Sequence, residues 1–283
     1  MSDKRYRRSN NLTKLIITGV LIVALGMVGG VSGALIVNHF SNSGAIVTTS
    51  SGTTAVKSDK DASAIAQKMS ASVVAITTEE IQTNSFWYGD QVSSGAGSGV
   101  IMSANGYIIT CAHVVEDANK IKVTTYDDKT YQAELIGSST KNDIAVIKID
   151  AKGLTAATFA NTDNLVQGQT VYAVGNPEGT FSNSITSGIL SALNRTIKIS
   201  MDDSSQNQYP WGQYRQSSNV IELTVIQTDA AVSPGNSGGG LFNSAGELIG
   251  IVNAKSSSEN SEGLGFAIYG NKALAVAKEL INK

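Results

Sequence analysis

Short apolar segments in close succession are the feature that most constrains how this chain folds. They follow one another from residue 98 to residue 269, and turn signals such as Asn105-Gly106 separate many of them. The segments read SGVIMS, YIIT, KIKVTTY, TYQAELIGS, IAVIKID, TVYAVG, SITSGILSAL, VIELTVIQT, LIGIVNA and GLGFAIY. This spacing, with few long helical patterns, predicts an all-β domain, either a barrel or a sandwich, rather than alternating strands and helices.

Helical patterns frame this β-rich region. Residues 62–80 read as a short helix that runs into a strand, and residues 270–283 read as an amphipathic C-terminal helix. We therefore predict one folded domain over residues 63–283. The chain has 41% hydrophobic residues, which is enough for a substantial core, and its net charge of −2 offers no basic surface for a nucleic acid.

The first 62 residues have a different composition from the rest. Residues 1–14 are basic, and residues 15–37 form a run without any charged residue. As a helix, that run would span roughly 34 Å, which exceeds the ~30 Å hydrocarbon core of a membrane. We predict a cytoplasmic basic segment at 1–14, a transmembrane signal anchor at 15–37, a flexible linker at 38–62 and an extracytoplasmic folded domain. A cleaved signal peptide ending before Ala34 is the alternative.

Cys111 is the only cysteine in the chain, which excludes an intramolecular disulfide. A lone cysteine is more often a small buried apolar residue than a nucleophile, so we interpret Cys111 as a core residue.

Ser237 stands among four glycines in GNSGGG, residues 235–240. A serine hydroxyl is a poor nucleophile and needs a neighbouring base, most often histidine. The chain has two histidines, and His39 lies in the predicted linker, so His113 is the candidate base. Glycine at position 235 would also allow two backbone amides, those of Gly235 and Ser237, to receive the negative charge of an acyl-transfer intermediate.

A carboxylate that orients the histidine would complete this set. Asp143 is the best candidate because it precedes a strand with a buried pattern, although the spacing excludes neither Asp150 nor Asp163. The glycines and Ser237 also match the G-x-S-x-G turn of α/β-hydrolases. That fold requires a histidine after the serine, and none follows Ser237.

Several segments together closely resemble the HtrA (Deg) family of trypsin-like serine proteases. The resemblance covers most of residues 70–270. The matching segments are GSGVIMSANGYIITCAHVV, KNDIAVIKID, VYAVGNPEG, SITSGILSAL, IQTDAAVSPGNSGGGLFNSAGELIGI and GLGFAI. The chain also has the order of histidine, aspartate and serine found in chymotrypsin-type proteases.

The resemblance implies a fold and a set of roles. The expected fold is a chymotrypsin-like double β-barrel with the site between the barrels. By this resemblance His113 is the general base, Asp143 orients it and Ser237 is the nucleophile. The oxyanion hole is expected at residues 235–237, from the amides of Gly235 and Ser237 with Asn236 shaping the turn. No cofactor and no metal are implied.

The resemblance also bears on substrates and assembly. Ala231, six residues before the serine, stands where arginine-selective relatives have aspartate. It predicts an apolar pocket for small or medium aliphatic side chains, with one wall formed by Val252, Asn253 and Ala254. The segment SFWYGD, residues 85–90, resembles a stretch through which family members form trimers, so the resemblance implies a homotrimer, with core packing as the alternative interpretation of the segment. The family often carries PDZ domains, and the sequence is expected to represent either a membrane-anchored form without one or a truncated chain.

The predicted function is a membrane-tethered extracytoplasmic serine endopeptidase that degrades or processes unfolded or damaged exported proteins. Two other functions stay open from sequence alone. One is a non-catalytic chaperone or binding module on a protease fold, and the other is a regulatory protease that cuts one specific membrane protein.

Overall fold

Twelve strands in two antiparallel sheets form the body of the protein in a computed structural model, which describes residues 58–83, 90–181, 183–200, 220–256 and 263–283. Each sheet contains six strands and closes into a barrel. The all-β prediction is therefore confirmed. Of the two architectures that the spacing allowed, the barrel is the one observed.

The first barrel uses the first six strands of the chain. Its strand order is β1-β2-β3-β6-β5-β4, and β4 pairs with β1 to close the ring. The strands are β1 Val73–Thr83, β2 Asp90–Ile101, β3 Tyr107–Thr110, β4 Lys120–Thr124, β5 Thr130–Ser139 and β6 Ile144–Ile149.

The second barrel uses the remaining six strands in the order β10-β11-β12-β9-β8-β7, with β7 paired to β10. The strands are β7 Thr170–Gly175, β8 Ser184–Ser200, β9 Val220–Thr228, β10 Gly240–Asn243, β11 Leu248–Val252 and β12 Gly265–Tyr269. Strand β8 is longer than the segment SITSGILSAL predicts, because its pairing with β9 continues to Ser200 through two register shifts.

Three α-helices accompany the barrels in the described residues: α1 Ser58–Ala71, α2 Ala112–Val115 and α3 Gly270–Ile281. The predicted N-terminal and C-terminal helices are thus observed. Helix α1 begins at Ser58, inside the predicted 38–62 linker, so the backbone is already helical before residue 63. Helix α3 buries Ala273, Ala277 and Leu280, which lie on one face at helical spacing.

Strands β6 and β11 are buried on both faces, whereas β4 alternates between buried and exposed residues. In β6, Ala145 and Ile147 fill the interior of the first barrel, while Ile144 and Val146 join a second cluster that includes residues from both barrels and α3. In the second barrel, Ile249 similarly faces inward, and its neighbour Leu248 belongs to the shared cluster. The shared cluster therefore packs the two barrels and the C-terminal helix together.

The predicted membrane anchor at residues 15–37 lies outside the described residues. The same is true of His39, of the linker up to residue 57 and of residues 85–89 in the predicted trimer segment. Within the ranges that are described, no helix is both long enough and apolar enough to cross a membrane.

Candidate active site

His113 and Asp143 lie side by side at the ends of neighbouring strands of the first barrel. His113 is in the short helix α2 that follows β3, and Asp143 comes directly before β6, which pairs with β3. Nδ1 of His113 lies 2.8 Å from Oδ2 and 3.0 Å from Oδ1 of Asp143. The backbone amide of His113 also donates to Oδ1 of Asp143 at 3.0 Å. The structure thus brings these two predicted residues together.

Asp143 reaches this position through an uncommon backbone conformation. A short 3-10 turn, Thr140–Asn142, precedes it, and Asp143 has φ 49° with its amide donating to the Thr140 carbonyl at 3.1 Å. Aspartate is among the few residues other than glycine that enter the left-handed region with some frequency. The turn ends there and directs the carboxylate into the protein, where Asp143 is fully buried.

A third donor completes the surroundings of the Asp143 carboxylate. Nδ2 of Asn253 donates to Oδ2 of Asp143 at 2.6 Å, and both residues are fully buried. The carboxylate therefore accepts from the ring and the amide of His113 and from Asn253, which fixes its orientation. Asn253 directly follows β11, so this contact joins the two barrels. Sequence reasoning placed Asn253 in the wall of a substrate pocket and missed this contact.

The other two aspartates considered from sequence do not take this position. Asp150 and Asp163 are both exposed, and the carboxylate on His113 is that of Asp143.

Ser237 lies in the glycine-rich loop between β9 and β10, and it is 5% exposed. Its Oγ accepts a hydrogen bond from the amide of Ala254 at 3.1 Å. Among the residues that the structure describes, Ser237 and His113 make no direct hydrogen bond with each other. In this structure the Ser237 Oγ serves as the acceptor for the Ala254 amide.

Two glycines give the loop its shape. Gly235 has φ 93° and Gly238 has φ 84°, in the region that side chains with a Cβ rarely adopt. The carbonyls of Gly235 and Ser237 both bond to Ser98 on β2. No acceptor in the described part of the chain takes the amide hydrogen of Gly235 or of Ser237. These two amides are the pair that the sequence predicts as oxyanion donors.

Asn236 lies between those amides and is 6% exposed. Its own amide donates to the Ser233 carbonyl at 3.0 Å, which closes a tight turn. Its side chain packs against Gly175, where an added Cβ would lie 2.6 Å from Oδ1 of Asn236. The backbone of Asn236 thus forms the turn between the two amides, while its buried Oδ1 has no hydrogen-bond partner among the described residues.

The predicted pocket residues occupy different surroundings. Ala231 is exposed, and its carbonyl accepts from the Thr186 hydroxyl at 2.8 Å. Val252 packs in the interior of the second barrel, and Asn253 contacts Asp143. Of these predicted wall residues, Ala254 is the one whose amide bonds to Ser237. The pocket itself stays a prediction.

Cys111 is fully buried next to this site, as the sequence predicts. Its Sγ donates to the Val252 carbonyl at 3.3 Å. Burial, together with the nearby charge of Asp143, raises the pKa of the Cys111 thiol well above its usual value. Ligand atoms of Cys111, His113 and Asp143 lie within 4.8 Å of one another, but they already bond to protein partners. The arrangement is a hydrogen-bonded cluster, and we assign no metal to it.

Comparisons with known proteins agree with this geometry. The trypsin-like peptidase domain family matches residues 97–251. Serine protease Do-like HtrA of Bacillus subtilis is 38% identical over 229 residues, with 77% of this chain and 48% of that protein covered. A probable periplasmic serine endoprotease, DegP-like, of Halomonas elongata is 44% identical over 187 residues, with 66% of this chain and 35% of that protein covered.

A solved structure shares the fold. The HtrA-type protease AlgW with decapeptide is 33% identical to this chain with a TM-score of 0.61, covering 77% of this chain and 66% of that one. The chain spans about half or less of the length of the two curated relatives. The family match, the double barrel and the positions of His113, Asp143 and Ser237 agree with one another. The chain belongs to the HtrA family of trypsin-like serine proteases.

Proposed function

We propose that this protein is a serine endopeptidase in which Ser237 is the nucleophile, His113 the general base and Asp143 the residue that orients the base. The observation that carries the proposal is the 2.8 Å contact between Nδ1 of His113 and Oδ2 of Asp143. Because a carboxylate accepts hydrogen bonds, this contact favours the neutral tautomer with its proton on Nδ1 and its lone pair on Nε2. A base of that form is what a serine nucleophile needs.

The first chemical step forms an acyl-enzyme. The Ser237 hydroxyl rotates away from the Ala254 amide and donates to Nε2 of His113. Its Oγ then bonds to the carbonyl carbon of the scissile peptide while His113 takes the proton. The carbonyl π electrons move to the oxygen, where the amides of Gly235 and Ser237 stabilise the negative charge, with Asn236 holding the turn between them. Loss of one such donor costs about 100- to 1000-fold in kcat in other serine proteases.

The second step releases both products. The tetrahedral intermediate collapses, the carbon–nitrogen bond breaks, and His113 gives its proton to the leaving amine. Water then attacks the acyl-enzyme, with His113 again as the base, and the carbon–oxygen bond to Ser237 breaks to regenerate the hydroxyl. The chemistry uses these side chains and amides alone, without a cofactor.

We propose an apolar primary pocket for small or medium aliphatic side chains such as valine. Ala231 stands six residues before Ser237, where an aspartate would favour arginine or lysine. Ala231→Asp is expected to add cleavage after basic residues in a peptide library, whereas the unchanged protein cleaves after aliphatic ones. A wild-type profile dominated by arginine or lysine would contradict this assignment. The backbone of Val252, Asn253 and Ala254 would form the adjoining wall.

We propose that the substrates are unfolded or damaged exported proteins, cut outside the cytoplasm. We also propose that the protein assembles as a homotrimer.

Residues 15–37 are proposed to tether the protein to the membrane. The uncharged run after a basic segment supports the tether. Alkaline extraction tests it, since the protein is expected in the membrane pellet. Leu21→Arg with Leu25→Arg should release it, because each central arginine costs about 2.5 to 3.5 kcal/mol of insertion. Release of the wild-type protein would contradict the tether.

The proposed activity is tested by digestion of an unfolded protein such as reduced and alkylated casein. Wild-type protein is expected to cleave it, and Ser237→Ala is expected to be inactive while retaining the thermal midpoint of the wild type. Cleavage by both proteins would show that another residue carries the activity. A folded wild type that cleaves neither unfolded protein nor peptides would favour a non-catalytic binding module.

A further inference from the structure

Ser98, on β2 of the first barrel, holds two carbonyls of the glycine-rich loop that carries Ser237. Its backbone amide donates to the Ser237 carbonyl at 2.8 Å, and its hydroxyl donates to the Gly235 carbonyl, also at 2.8 Å. Ser98 is fully buried. The residue lies 137 positions before Gly235 in the chain, so this is a contact between the barrels.

A third partner fixes the direction of the Ser98 hydroxyl. The backbone amide of Asn176, directly after β7, donates to Oγ of Ser98 at 2.8 Å. Because an amide only donates and a carbonyl only accepts, the hydroxyl proton must point to Gly235. The Ser98 side chain also lies close to Gly175, where an added Cβ would be 3.1 Å from its Oγ. The hydroxyl therefore connects the end of β7 to the loop through two hydrogen bonds.

The bond to Gly235 restrains the peptide that lies between the two proposed oxyanion donors. This peptide joins Gly235 to Asn236, and it is held at both ends. Ser98 binds its carbonyl, and its amide donates to the Ser233 carbonyl at 3.0 Å. The peptide planes that carry the amides of Gly235 and Ser237 each share an α-carbon with it. Fixing the central peptide therefore restricts the rotation of both donors.

We propose that Ser98 is a positioning residue for the oxyanion hole of this protein. Its hydroxyl holds the peptide between Gly235 and Asn236 so that the amides of Gly235 and Ser237 converge on the substrate carbonyl oxygen. Without that hydroxyl, the Gly235 carbonyl becomes a buried acceptor without its donor, and the peptide turns to reach another one. That rotation changes ψ of Gly235 and φ of Asn236, the torsions that set the angles between this peptide and the two peptides that carry the donor amides. This inference rests on the proposed endopeptidase function.

The test is Ser98→Ala in the full chain, which removes one oxygen and leaves the backbone bonds of residue 98 in place. Ser72→Ala is the matched control, because the Ser72 hydroxyl is also buried and donates to the Met69 carbonyl at 2.7 Å, away from the loop. Peptide hydrolysis is measured per folded molecule, with kcat and KM separated. We expect Ser98→Ala to lower kcat about 10- to 100-fold, somewhat less than the loss of a whole oxyanion donor, with KM within about threefold of wild type.

A second measurement separates stabilisation of the oxyanion from binding of the peptide. A peptide aldehyde forms an adduct with Ser237 that carries an oxygen in the oxyanion hole, so its affinity should fall by the same factor as kcat/KM. The affinity of an uncleaved peptide, compared between Ser237→Ala and the double variant with Ser98→Ala, should stay the same. A merely structural role of Ser98 would not separate these two affinities.

Three results would overturn the proposal. Wild-type kcat in Ser98→Ala, or a loss confined to KM, would reject it while leaving the endopeptidase function intact. An equal loss of kcat in Ser72→Ala would show a general effect of a missing buried hydroxyl. A wild-type protein without hydrolysis or aldehyde binding would instead reject the endopeptidase function, and the role of Ser98 with it.

Discussion

Nδ2 of Asn253 lies 2.6 Å from Oδ2 of Asp143, so an amide from the second barrel completes the hydrogen bonding of a buried carboxylate from the first. The two residues are 110 positions apart in the chain. The association of the two barrels therefore supplies a donor to the Asp143 carboxylate, and the orientation of the His113 imidazole depends on that association.

Asn253→Ala removes this donor and leaves the Asp143 carboxylate with the two donors of His113. A hydrogen bond to a charged group contributes about 1.5 to 3 kcal/mol, and we expect a loss of unfolding free energy in that range by urea denaturation. We also expect kcat/KM to fall about tenfold or more, because the carboxylate loses its fixed orientation. Asn161→Ala is the control, since the Asn161 side chain caps an exposed turn by accepting from the Asp163 amide. Equal effects of the two variants would contradict the assigned role.

Gly238→Ala is expected to disrupt the loop around Ser237. Gly238 has φ 84°, and an added Cβ would overlap the Ser98 carbonyl and the Thr110 hydroxyl. We expect a cost of about 2 to 5 kcal/mol, from backbone strain and overpacking together, and loss of peptide hydrolysis. Gly153→Ala separates the two causes, because Gly153 has φ 72° but open space around the added Cβ. It should cost about 1 to 2 kcal/mol without loss of activity. Full activity in Gly238→Ala would contradict the tight packing.

The sequence predicts the fold class and the three principal residues better than it predicts their surroundings. Ser237 is marked by its glycines, and His113 by the small number of histidines, so residue type and chain order point to both. The choice of Asp143 over Asp150 and Asp163 depends on which strand end faces His113. Spacing alone does not decide that.

The contacts of Asn253 and Ser98 could not be predicted for the same physical reason. Each is a single polar residue near a strand end, without a periodic pattern, and its partner lies in the other barrel. Such contacts depend on how the two barrels face each other. The apolar run in β6 does indicate burial on both faces of that strand. Its neighbours Ile144 and Ala145 pack in different clusters, one shared between the barrels and one inside the first barrel.

The buried Cys111 thiol should make stability fall at alkaline pH. Its pKa is raised in the folded protein, above about 8.5 for an exposed thiol, so the unfolded chain loses this proton first. The contribution of the protonated thiol to the unfolding free energy is complete at pH values below the pKa of the unfolded state, and it is lost as the pH rises toward the pKa of the folded state. We expect wild type to lose up to about 1.4 kcal/mol more per pH unit than Cys111→Ala between pH 9 and 10.5. Parallel slopes in urea denaturation of the two proteins would contradict this prediction.

Phe242 is expected to contribute strongly to the packing between the barrels. It is fully buried in the cluster that contains residues of both barrels and α3. Phe242→Ala should lower the unfolding free energy by about 3 to 5 kcal/mol, because it leaves a cavity there. Phe181 is 60% exposed and provides a matched control, for which alanine should change stability by less than about 0.5 kcal/mol. A similar loss of unfolding free energy in both variants would contradict the prediction that burial in the shared cluster makes Phe242 important for stability.

The measurement that tests the account most directly is labelling of the purified full chain with a fluorophosphonate probe, with the modified residue located by mass spectrometry. Such a probe reacts with a serine that a neighbouring base and oxyanion donors activate. We predict labelling at Ser237, its loss in Ser237→Ala and its near loss in His113→Ala, with all three proteins folded by circular dichroism. Labelling at another residue, equal labelling in His113→Ala, or no labelling of folded wild-type protein would contradict the assignment of Ser237 as a nucleophile activated by His113.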